Sequence, residues 1–214
     1  MVQSLILTLQ NLDTDLLLFF NGMHTPVMDN IMFFVTGKWI WVPMYFVLAF
    51  FMLRRVKKPI SLIFFFMVIL SIISADQFCG HLLRQAVMRL RPANLNNPIH
   101  TMVHIVNGYR GGKYGFPSCH AANTFALTSF LILYFRKRVF SIFMILWALL
   151  LSYSRIYLGV HYPGDILCGM VIGSIIGVSH YMLAFILCYR MKYIYCRIKP
   201  YALRFSRIWV YTKN

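Results

Sequence analysis

Five apolar stretches, each bounded by polar or basic residues, leave this 214-residue chain very few ways to fold. They run over Trp39–Leu53, Pro59–Phe78, His120–Phe135, Val139–Tyr157 and Ile166–Cys188. A membrane-spanning helix needs about 20 mostly apolar residues, with a range of about 17–25. Trp39–Leu53 and His120–Phe135 are short by that standard; each must borrow a turn from its flanks or sit within the bundle. Ahead of them, Leu16–Phe20 and Ile31–Val35 are brief apolar patches separated by Asn21, His24, Pro26, Asp29 and Asn30. That pattern predicts one or two amphipathic helices lying in the interface, with a sixth, poorly formed span as the alternative. The expected fold is all-α: a multi-spanning transmembrane helix bundle of five to six spans with an N-terminal interfacial helix. Residues 1–189 form the membrane domain, of which 1–38 are the interfacial segment, and 190–214 are a basic aromatic tail.

Charge narrows the function. Only 12% of the residues are charged, against about 25% in soluble domains, which excludes disorder and an ordinary water-soluble enzyme. Lysine and arginine number 21 against five aspartates and no glutamate, a net charge of +16. Nucleic acid is not the expected partner of so apolar a chain; anionic head groups and phosphate-bearing lipids are. Two-metal hydrolysis needs several clustered carboxylates, so neither a metal nor another cofactor is expected. The five cysteines show no CxxC or CxxCH spacing, which argues against zinc, redox and haem chemistry. No basic region precedes Leu5–Leu9, and Asp13 and Asp15 follow soon after, so a cleaved signal peptide is not expected.

Four basic residues at 54–58, three at 136–138 and seven after Cys188 make fourteen of the 21, all on one side of a five-span arrangement. That side should be cytoplasmic, with the tail resting on anionic lipid. The other side then holds the N-terminus, the Pro92–Pro117 loop and the turn Gly159–Asp165. Gly169, Gly173 and Gly177 recur every four residues in the last stretch, a small-residue ridge for close helix packing.

Polar residues at the ends of membrane helices usually have a reason, and on the non-cytoplasmic side they gather in three places. In Arg84–Pro92, Arg84 and Arg91 are seven apart, which places them on one face of a helix ending near Pro92, while Arg89 points elsewhere. In Pro117-Ser118-Cys119-His120 a helix start leaves backbone N–H groups pointing outward, suited to an anion. In Ser154-Arg155 and the following His161 and Asp165, a carboxylate can fix an imidazole's tautomer and sharpen its other nitrogen; Asp165 could equally be a helix cap. Taken singly, each has a bland reading as collar or cap. Together they offer three guanidiniums for a phosphoryl group and two histidines.

These blocks resemble the signature of the PAP2 superfamily, the type 2 phosphatidic acid phosphatases: Lys-x6-Arg-Pro, Pro-Ser-Gly-His and Ser-Arg-x5-His-x3-Asp. Here they read Arg84-x6-Arg91-Pro92, Pro117-Ser118-Cys119-His120 and Ser154-Arg155-x5-His161-x3-Asp165. Arg84 replaces a lysine, and Cys119 replaces a glycine whose N–H faces the phosphate. The resemblance implies a metal-independent phosphatase of a phosphorylated membrane lipid in the bacterial inner membrane, with its site on the extracytoplasmic side. The lipids it allows are phosphatidic acid, phosphatidylglycerophosphate, undecaprenyl diphosphate and lipid A. By the same resemblance His161 is the nucleophile, Asp165 its orienter and His120 the acid and base, while Arg84, Arg91, Arg155, Ser118 and the Cys119 N–H bind phosphate. An anion or phospholipid transporter using the same arginines and histidines is the alternative.

Overall fold

The computed structural model describes residues 2–37 and 39–198, with side chains described over 3–37 and 39–191. It is all-helical, as expected. The elements are α1 (Val2–Gly22), α2 (Pro26–Val35), α3 (Val42–Arg55), α4 (Ile60–Gln77), α5 (Arg84–Val87), α6 (Cys119–Phe135), α7 (Arg138–Tyr157) and α8 (Pro163–Ile198). A π-helical turn, Phe78–Leu83, joins α4 to α5, so that Ile60–Val87 is one helical segment of 28 residues.

The ends follow local chemistry. Thr25 caps α2, accepting from Met28 N at 3.2 Å, with Pro26 opening the helix. Ser118 caps α6 in the same way, accepting from Ala121 N at 3.4 Å. Left-handed residues stop α5 at Met88 (φ 49°) and α6 at Arg136 (φ 51°).

All five apolar stretches are helical, but they are not equivalent. Ile60–Val87, Arg138–Tyr157 and Pro163–Met191 are long and apolar enough to cross a membrane. α6, at 17 residues, is a shorter apolar helix. The Trp39–Arg55 stretch forms, with α2, a pair bent by 64°. The N-terminal patches belong to two helices, and α1 is a continuous helix of 21 residues rather than a short patch. Its Leu17 is fully buried, packed with Val103, Ala121, Ile156, Tyr162 and Ile166, so tertiary contact holds it where amphipathicity alone would not. The tail continues α8 as far as Ile198; residues 199–214, and the anionic-lipid contact expected of them, lie outside the described residues.

α6 is the central helix, packed against α8, α4 and α7. The glycine ridge on α8 faces it: a Cβ at Gly173 would run into the backbone of Ala122, and one at Gly177 into that of Ala126. The expected ridge therefore packs α8 directly on α6. Farther along, Phe64, Phe130, Tyr134 and Tyr181 form a buried aromatic cluster, with the Phe64–Tyr134 ring centres 5.0 Å apart. Outward faces carry Phe66, Ile73, Leu146, Val171 and Ile175, all exposed, the mark of a surface solvated by lipid tails.

Two of the basic loops meet at one end of the bundle, where Arg55 Nη2 donates to the Phe135 carbonyl at 3.1 Å and Arg136 Nη2 donates to Tyr181 Oη at 3.3 Å. Because α4, α6, α7 and α8 run alternately, the three motif blocks sit at the other end.

Candidate active site

Loop contacts bring the blocks together. The predicted helix to Pro92 in fact stops at Val87, so Arg84 and Arg91 do not share a helix face. Met88 turns the chain, and the segment after it runs extended beside residues 113–115. Leu90 bridges Tyr114, Arg91 N donates to Lys113 O at 3.1 Å, and Gly115 N donates to Arg89 O at 2.9 Å. The second and third blocks are joined directly: Ser118 N donates to the Asp165 carbonyl at 3.0 Å. Ala93 N donates to Gly159 O at 3.0 Å, tying the first block to the turn before His161. Gly159 has φ +66°, and a Cβ there would strike Val103, so this turn requires glycine.

Arg91, Arg155, His161 and Asp165 are all buried, and Ser118 is fully so. Arg91 Nε donates to the Tyr114 carbonyl at 3.0 Å. Arg155 donates through Nη1 to Thr36 Oγ1 at 2.7 Å and through Nη2 to Tyr109 Oη at 3.1 Å. Arg84 Nη2 donates to the Pro117 carbonyl at 3.3 Å and to Cys119 Sγ at 2.9 Å. Among the described residues, none of these three guanidiniums is ion-paired, and the Nε groups of Arg84 and Arg155 are buried without an acceptor.

Like charges at this range disturb one another. Burial, with Arg155 and Arg84 nearby, pulls the Arg91 guanidinium down to about 10, so it stays charged at neutral pH. Burial and the cations of Arg91, Arg155 and Arg84 hold the His161 imidazole well below the usual histidine range, against a hydrogen bond to the Gly115 backbone. His161 is therefore neutral. Its Nδ1 lies 3.4 Å from Asp165 Oδ2, which also accepts from Tyr162 N at 3.0 Å.

His120 sits in the first turn of α6, beside Ser118 and Cys119. It lines a cavity of about 690 Å³ between α3, α4, α6 and α7, whose other polar lining includes Asp76 and Asn123. Asn123 Nδ2 donates to Asp76 Oδ1 at 2.9 Å, a polar contact between α6 and α4. This largely apolar chamber thus reaches His120 and Thr36, the acceptor of Arg155 Nη1.

Comparison with known proteins gives the family. Residues 62–187 match the PAP2 superfamily. The chain belongs to the PAP2 superfamily. It is 50% identical to the lipid A 4'-phosphatase of Bacteroides thetaiotaomicron over 86% of its length and 82% of the relative's. It is 34% identical to the lipid A 4'-phosphatase of Porphyromonas gingivalis over 77% and 70%. The crystal structure of a transmembrane PAP2 type phosphatidylglycerolphosphate phosphatase from Bacillus subtilis shares the fold. Its TM-score is 0.62 at 20% identity, covering 86% of this chain and 87% of that one. The protein is a PAP2-type phosphatase and a multi-pass membrane protein.

In this PAP2 phosphatase the cysteine at the family's glycine position packs over the π-turn, where a Cβ on Gly80 would lie 3.4 Å from Cys119 Sγ. The thiol occupies one arm of Arg84. Sequence reasoning missed two charged residues of the site. Arg89, expected to point elsewhere, donates from Nη1 to Asp165 Oδ1 at 3.0 Å and reaches Asp13 Oδ2 at 2.7 Å. The only hint was scarcity, five acids against 21 bases, and spacing along the chain does not say which base each acid meets.

Proposed function

We propose that this phosphatase removes a phosphate from a membrane lipid of the lipid A class, without a metal, through a phosphohistidine. The observation that carries the proposal is the set of three guanidiniums, Arg84, Arg91 and Arg155, gathered without an ion pair among the described residues and with two buried N–H groups lacking acceptors. A phosphoryl group, with several charged oxygens, satisfies that set, and its charge removes the mutual repulsion. The two lipid A 4'-phosphatase relatives favour a phosphorylated glycolipid over the other lipids the family accepts.

In this mechanism His161 attacks phosphorus through Nε2 while Nδ1 faces Asp165. The P–O bond to the lipid breaks as the P–N bond forms, and His120 gives its proton to the departing oxygen. His120 then takes a proton from water, whose oxygen attacks phosphorus and frees His161 with inorganic phosphate. Arg84, Arg91, Arg155, Ser118 and the Cys119 N–H hold the equatorial oxygens. The transition state is loose, so positioning and charge do most of the work. The site opens on the extracytoplasmic side, opposite the basic loops.

The test is free phosphate released from purified protein given lipid A, phosphatidic acid or undecaprenyl diphosphate, with and without EDTA. Lipid A should be the best substrate and EDTA without effect; orthovanadate should inhibit. His161→Ala should remove turnover and the base-stable, acid-labile phosphoenzyme while the protein still folds. Activity lost to EDTA and restored by magnesium, or an active His161→Ala, would defeat the proposal.

A further inference from the structure

We infer that Asp13 and Arg89 are positioning residues, a relay from α1 that holds the Asp165 carboxylate, and through it the His161 ring, in the attacking orientation. The inference rests on His161 being the nucleophile. Asp13 lies outside the matched region of residues 62–187, so the superfamily signature says nothing about it.

The contacts close into a ring. Arg89 Nη1 stands between two carboxylates, 3.0 Å from Asp165 Oδ1 and 2.7 Å from Asp13 Oδ2. The second oxygen of Asp13 accepts from Gly164 N at 2.7 Å, the residue next to Asp165 in the first turn of α8. The Arg89 guanidinium carbon lies over the Tyr162 ring, 3.7 Å from its centre, a cation–π contact that helps hold the side chain in place. Each end of the relay is therefore referenced to the same turn that carries Asp165.

This ring decides which way Asp165 faces. With Oδ1 held by Arg89, Oδ2 is left for Tyr162 N and His161 Nδ1. Asp165 is fully buried, so without Arg89 its Oδ1 would have no donor, and the carboxylate would turn to find one. Asp13 matters because the Arg89 side chain is a quarter exposed and would otherwise swing toward water. Arg89 differs here from Arg84, Arg91 and Arg155: its charge is neutralised by two acids, so it is not a phosphate ligand.

A purely structural tether and a positioning relay predict different kinetics. Full-length wild type and variants are compared by kcat and KM on whichever of lipid A, phosphatidic acid and undecaprenyl diphosphate the wild type hydrolyses fastest, with melting temperature as the folding control. Asp13→Asn keeps an acceptor for Gly164 N but removes the charge that steers Arg89. Its kcat should fall about 10- to 100-fold with KM unchanged, as for other groups that orient a functional side chain from outside. Arg89→Gln, which leaves the Asp13–Gly164 contact in place, should lose at least as much. The double variant should lose no more than Arg89→Gln alone, because both break one chain of contacts. A folded Asp13→Asn or Arg89→Gln with wild-type kcat, a loss confined to KM, or additive losses would overturn the relay. If those results come with an inactive His161→Ala, the relay alone fails; a fully active His161→Ala removes the nucleophile and the relay with it.

Discussion

His161 is 1% exposed, and burial together with the cations of Arg91, Arg155 and Arg84 keeps its ring neutral well below pH 6.5. The consequence for stability has a definite sign. Below its ordinary value of about 6.5 the unfolded chain binds a proton at this histidine that the folded chain refuses. Stability is therefore full above pH 6.5 and falls on acidification toward the folded value, by at most about 1.4 kcal/mol per pH unit from this group. Melting temperatures of detergent-solubilised protein between pH 7.5 and 5 should show it, and His161→Gln should flatten the slope. The thiol on the Arg84 guanidinium gives a second prediction. Cys119 Sγ accepts from Arg84 at 2.9 Å but touches no proton relay. Cys119→Gly and Cys119→Ser should each change kcat/KM by less than about tenfold, the worth of one weak hydrogen bond of about 1.4 kcal/mol. A folded but inactive Cys119→Ser would instead make the thiol the nucleophile.

Between helices, the contact that most affects the site is α8 on α6. Gly173 meets the backbone of Ala122, and Ala122 N donates back to Ser118 O at 3.0 Å in the turn that carries His120. Backbone cannot swing aside as a side chain can, so Gly173→Val should cost about 3 kcal/mol, the upper end of overpacking. Thermal unfolding in detergent would measure it, and phosphate release should fall with it because the displaced turn carries Ser118 and His120. This ridge could be read from the four-residue glycine spacing in a stretch that had to be a helix. The early stop of α5 could not. Met88 adopts φ 49°, a conformation that local propensity disfavours and that the pairing of the next segment with residues 113–115 imposes. Arg91 therefore reaches the site from an extended segment, although its spacing from Arg84 suits a helix.

At the scale of the whole molecule, charge is divided between two ends. The loops at 54–58 and 136–138 share one end of the bundle, and the site occupies the other. The excess of lysine and arginine at the first end predicts that it faces the cytoplasm, so a membrane-impermeant thiol reagent should label Asn94→Cys only from the extracytoplasmic side and Lys57→Cys only from the cytoplasmic side. The reverse pattern would turn the site toward the cytoplasm.

The helical membrane bundle, the glycine ridge and the three blocks carrying arginines, histidines and Asp165 were all legible along the chain. Long apolar runs have no other stable form in lipid, and the residue types and spacing of each block are read directly along the chain. Tertiary structure alone decided how the blocks meet: the extended pairing of Leu90 with Tyr114, the inward face of α1, and the choice of Arg89 as partner to Asp13 and Asp165. Such contacts join distant parts of the chain, Asp13 and Gly164 being 151 positions apart. Their energy comes from burial and charge pairing between distant segments, and spacing along a chain carries no record of which distant charge a side chain will face once water is excluded.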